Sequence, residues 1–149
     1  MDAGVVDQDF YVQVGDEVTL TREVTEDAVR IFADLSGDHS PNHVDEGVMA
    51  ASVYKGRIAH GALLVAYMSA CSTELVERTP GVRASETPVS LGYDGIRFLN
   101  PVYIGDALKL HYRVGEIDPS RRRAVSEITI TNQHGTTVCV GKHILKWVA

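Results

Sequence analysis

The sequence predicts an α+β fold in which a long antiparallel β-sheet wraps around one central, buried α-helix. Three observations lead there. The segment from Gly61 to about Val76 is apolar nearly all round, which in a globular chain marks a helix covered on most sides. After it the text switches to period-two, β-branched residues interrupted by short turns. The order of strand, helices and then four strands excludes a doubly wound nucleotide fold, and no G-x-G-x-x-G or GK[ST] is present.

The elements follow in order. Glu17–Val24 reads as a strand introduced by the turn pair Gly15-Asp16. Thr25 is placed as a helix N-cap, with Glu26 and Asp27 in the first turn where the dipole favours acids. Ala28, Phe32 and Leu35 recur at helical spacing, and Gly37 is placed to end the helix. Asp38 to Asp45 then reads as a loop, and Glu46 to Tyr54 as holding a short helical turn. Four strands are expected at Val89–Leu99, Ala107–Ile117, Arg122–Thr131 and Thr136–Trp147. Asn100-Pro101, Asp118-Pro119-Ser120 and Asn132-Gln133-His134-Gly135 supply the turns between them, and connections this short imply antiparallel pairing of the last three.

Composition narrows the function classes. The 149 residues suit one domain spanning 1–149, and 44% hydrophobic with 23% charged residues is ordinary globular composition. A net charge of 14 − 20 = −6 argues against a nucleic-acid binder, which would carry a basic stripe. The longest apolar run, Ala62–Met68, is far below the ~18 residues of a membrane span. Met1–Phe10 holds three aspartates and no Lys or Arg, unlike a signal peptide. Cys71 and Cys139 match no zinc or CxxC spacing. A soluble, cytoplasmic protein with no membrane partner is expected.

The chemistry concentrates in two stretches. In Ser36-Gly37-Asp38-His39-Ser40-Pro41-Asn42-His43 a carboxylate and an imidazole lie five residues apart on a segment stiffened by a helix end and a proline. Such a segment can turn Asp38 and His43 toward one water, as acid–base catalysis requires, although each is also a common turn or packing residue. In Arg57-Ile58-Ala59-His60-Gly61 the apolar helix opens with backbone N–H groups that lack intrahelical partners. Gly61 lets a ligand approach them, and a donor so aimed at a developing oxyanion is worth about 10²–10³ in rate. Asp38, His39, His43, Asp45 and His60 also invite a metal reading, but with Asp38 to Asp45 read as a loop no HxxxH or HExxH helix pair supports one, and no metal is expected. Arg121-Arg122-Arg123 reads as a solvated hairpin tip ahead of a phosphate clamp. His39, His111, His134 and His143 read as exposed or structural. Ser69, Ser72 and Thr73 are expected to bond carbonyls one helical turn back.

The stretch Phe32 to His43, followed by the His60-Gly61 helix start, resembles the MaoC-like, (R)-specific enoyl-CoA hydratase (hydratase 2) family, whose signature is G-D-x-N-P-x-H. Phe98-Leu99-Asn100-Pro101-Val102-Tyr103-Ile104-Gly105-Asp106 is similar to that family's F-x-x-P-V-x-x-G-D segment. The resemblance implies a hot-dog fold, a homodimer or dimer of dimers, and an acyl-CoA thioester as substrate, CoA being part of that substrate and no separate cofactor needed. It implies reversible hydration of a trans-2-enoyl-CoA to an (R)-3-hydroxyacyl-CoA. Asp38 and His43 match the catalytic pair and Gly61 the oxyanion donor, with Ser40 and His60 expected beside the substrate. Ser40 stands where the signature has Asn, and Ala66 where some members carry Ser on the helix. A hot-dog thioesterase and a non-catalytic acyl-CoA-binding partner subunit are the alternative readings.

Overall fold

A computed structural model describes residues 10–79 and 85–149. The acidic start of the chain read above lies, except for Phe10, outside the described residues. Strand β1 (Glu17–Glu23) leads into helix α1 (Glu26–Ser36), capped as expected: the Thr25 hydroxyl accepts the Ala28 N–H at 3.0 Å, and Gly37 closes the helix with φ +80°. Two short helices follow, α2 (Pro41–Val44) and α3 (Glu46–Ala50), and then the long α4 (Gly61–Arg78). Strands β2 (Thr87–Phe98), β3 (Ala107–Asp118), β4 (Arg123–Thr131) and β5 (Thr137–Val148) complete the chain.

All neighbouring strands pair antiparallel, in the order β1-β3-β4-β5-β2. Alternate residues of the inner strands (Leu108, Leu110, Tyr112 and Val114 on β3; Ile128 and Ile130 on β4) are buried with Leu64, Met68, Cys71 and Leu75 of α4. The sheet therefore curls round α4 in the hot-dog arrangement. At its end, Trp147 stacks on Tyr11 at 4.9 Å and meets Phe10 edge-on at 5.1 Å. Arg122 lies over both N-terminal rings and pairs with Glu86, so this arginine is a structural latch and not part of a solvated tip. Arg121 pairs only loosely, at 3.7 Å, with Asp118 on the surface.

Two expectations need correction. His43 lies on the four-residue helix α2, not on a loop, because Pro41 at the first helical position presets the turn. The central helix is not covered all round: Ala62, Ala66, Ser69 and Thr73 are exposed, since one curled sheet covers only one side of it. Ser72, by contrast, donates to the Ser69 carbonyl as expected. Cys71 and Cys139 are free and buried, their thiols pushed up to about 11 by desolvation.

A polar row crosses the otherwise apolar inner face. Fully buried His143 receives the Tyr112 hydroxyl on Nδ1 at 2.7 Å and meets Ser90 Oγ through Nε2 at 2.8 Å. Burial pushes His143 down to about 4 from its model-peptide 6.5. The folded state thus keeps the ring neutral while the unfolded chain takes a proton below about 6.5. Stability from this site is present in full above that pH and is lost as pH falls through about 4. The loss is on the order of 3 kcal/mol. Urea unfolding at pH 7, 5.5 and 4.5 should show this decline, and His143→Gln should flatten it. Equal pH slopes for the two proteins would refute the assignment.

Candidate active site

Asp38, His43 and the start of α4 converge at one end of the helix. Gly37, in the left-handed region, reverses the chain after α1, and Asp38 follows with its side chain about half exposed. Its Oδ1 accepts the Ser40 N–H at 3.2 Å, leaving Oδ2 to face His43. The His43 side chain is only 9% exposed. Its Nδ1–H donates to the Ile58 carbonyl at 2.7 Å, which fixes the neutral tautomer whose lone pair sits on Nε2. Nε2 stands 3.8 Å from Asp38 Oδ2, too far for a direct hydrogen bond and close enough for one water to touch both.

The segment Arg57–His60 is the scaffold beneath this pair. The Ile58 N–H donates to the Asn42 carbonyl at 2.9 Å, and the Ala59 N–H to the Val102 carbonyl at 2.7 Å. His60 is buried: its Nε2–H donates to the Asp38 backbone carbonyl at 2.9 Å, and its ring stacks on His43 with centroids 3.7 Å apart. Its Nδ1 is buried without a partner. Asp38, His43 and His60 offer ligand atoms within 4.8 Å of one another. Two stacked imidazoles, however, direct their in-plane lone pairs side by side and not onto one ion, so the set suits a supported acid–base pair better than a metal.

A groove of about 390 Å³ opens beside His43, lined by Asn42, Tyr54, Ile58, Gly61, Leu64 and Phe98 among others. Gly61 begins α4, so its N–H has no intrahelical acceptor, and the residue lines this space at the positive end of the helix. The Phe98 ring packs so closely that a Cβ at Gly61 would lie 2.6 Å from it. The arrangement offers a base, a carboxylate, a water-sized gap and an anion-stabilising backbone donor around an apolar slot.

Of the expected site residues, His43 and Gly61 line the groove, and Asp38 stands 3.8 Å from His43 without lining it. Ser40 and His60 do not reach the groove. Ser40 is exposed and contributes its backbone N–H to Asp38, and His60 lies behind His43 as a support. Asn42, two residues after the Ser40 that stands where the signature has Asn, lines the groove and has a buried, unpartnered Oδ1. Arg57 joins Glu26 and Glu46 across three elements, a role that no spacing in the sequence indicated. His39 pairs with Asp34 and His111 with Glu17 on the surface, both away from the groove.

Comparison with known proteins agrees with this architecture. The family described as "MaoC like domain" matches residues 9–137. An (R)-specific enoyl-CoA hydratase of Rhodospirillum rubrum is 32% identical over 120 residues, covering 80% of this chain and 78% of that protein. A 3-hydroxybutyryl-CoA dehydratase of Methylorubrum extorquens is 34% identical over 113 residues, covering 76% and 67%. Among solved structures, the (R)-hydratase of A. caviae involved in PHA biosynthesis superposes with a TM-score of 0.79 at 26% identity, covering 91% of this chain and 96% of that one.

Proposed function

The chain belongs to the MaoC-like domain family as an enzyme of the enoyl-CoA hydratase/dehydratase type, and from that premise we propose that Asp38 and His43 hydrate a trans-2-enoyl-CoA to an (R)-3-hydroxyacyl-CoA. The observation that carries this reading is the 3.8 Å gap between Asp38 Oδ2 and His43 Nε2, with His43 and Gly61 lining one groove. A water held in that gap gives a proton to His43 Nε2 while its oxygen bonds to the β-carbon. The π-electrons move onto the thioester oxygen, where the Gly61 N–H and the helix dipole hold the enolate. The imidazolium then returns the proton to the α-carbon on the same face. Asp38 orients the water throughout and steadies the imidazolium. No metal or redox group is needed, because the thioester already acidifies the α-carbon.

R stereochemistry and the CoA carrier are taken from the (R)-specific enoyl-CoA hydratase of Rhodospirillum rubrum. The exposed small-residue face of α4, beside the edge strand β2, is where we place a second copy of this chain. The reading is tested by following the enoyl thioester's ultraviolet band alongside a thiol-trapping reagent. A hydratase abolishes the band without releasing CoA. Thiol release would establish a thioesterase, and binding without either change would establish a non-catalytic subunit.

A further inference from the structure

We infer that Arg57 is a positioning residue for His43, acting by tying helices α1 and α3 to the segment beneath it; the inference rests on the catalytic reading above. The Arg57 side chain is 18% exposed, and its guanidinium makes a fork to Glu26, at 2.8 Å and 2.7 Å. Its Nε–H donates to Glu46 at 3.0 Å, and Nη1 makes a long 3.4 Å contact with the His43 carbonyl. Glu26 opens α1 and Glu46 opens α3, so one side chain ties both helices to the segment under the catalytic pair.

The tie matters because α2 and α3 span only four and five residues. Helices that short do not hold themselves and take their geometry from tertiary contacts. The residue after Arg57 makes two hydrogen bonds to α2: the Ile58 carbonyl accepts the His43 Nδ1–H and fixes its tautomer, and the Ile58 N–H donates to the Asn42 carbonyl. A shift of Arg57 therefore moves the acceptor that aims His43. Lysine cannot substitute, since a point charge does not span two carboxylates and a carbonyl with a planar fork. Arg57 does not line the groove, so its loss should fall on the chemical step and spare binding.

The experiment compares Arg57→Gln, His43→Ala and the double variant, with kcat and KM taken at a temperature where melting curves show each protein folded. Arg57→Gln is expected to lower kcat by about 10–100-fold with KM within about threefold. On the His43→Ala background the same change should cost less than about threefold, because the group it positions is gone. An equal loss on both backgrounds, or a kcat within about threefold of wild type, overturns the inference. If Arg57→Gln does not fold, Arg57→Lys keeps the cation, and its kcat should still fall at least about fivefold at constant KM; unchanged kcat overturns the inference. Should His43→Ala alone leave turnover intact, the catalytic reading itself fails, which the three-way comparison separates from failure of the Arg57 role.

Discussion

Replacing His43 by alanine is expected to lower the hydration rate by about 10²–10⁴-fold, and Asp38→Asn by a loss in the same range. The two changes act through different atoms. His43→Ala removes Nε2, the ring lone pair that takes the water's proton, and leaves the Ile58 carbonyl without its donor. That lost bond costs stability of about 1–3 kcal/mol, so rates must be compared on folded protein. Asp38→Asn is nearly isosteric and can still accept the Ser40 N–H through Oδ1, so the segment keeps its shape. Its new amide group would offer the water a donor where Oδ2 was an acceptor, and would leave no negative charge to steady the imidazolium. The double variant should lose little beyond the worse single, since the pair acts as a unit. Steady-state hydration assays with melting curves decide the matter. A loss below about threefold in either folded variant would rule the pair out.

Much of the fold was legible because its signals are local. The strand boundaries fall within about two residues of the period-two segments, and α1 lies between its Thr25 cap and Gly37 as read from sequence. The Asp38–His43 pairing was legible for the same reason, since five residues on a stiffened segment leave few ways to diverge. What escaped depends on distant contacts. The four-residue α2 is too short to show helical periodicity, and Pro41 was its one sign. His60 was turned behind His43 by stacking against it and Phe32, which belongs to another helix. Arg57 finds its partners 31 and 11 residues away. An all-round apolar helix, finally, reads the same whether a sheet or another subunit is to cover its far side, so the exposed Ala62–Thr73 stripe was not separable from the buried one.

The second large effect concerns Gly61, where two substitutions separate the backbone donor from the space around it. Gly61→Ala keeps the N–H and adds a Cβ that would sit 2.6 Å from the Phe98 ring. That ring is half exposed and can swing outward, so the fold should tolerate the methyl group. Gly61→Pro adds a similar Cβ and also deletes the N–H. Proline suits this place: it is the first position of α4, where no intrahelical bond is lost. The preceding His60, at φ −59° and ψ 132°, already has the extended conformation that a following proline demands. Both variants should therefore melt close to wild type, while turnover separates them. The proline variant should be slower than the alanine variant by about 10²–10³-fold, the usual worth of one oxyanion donor. Equal turnover of the two would show that the enolate oxygen is held elsewhere, and a proline variant that melts far below the alanine one would show that the Gly61 N–H is structural.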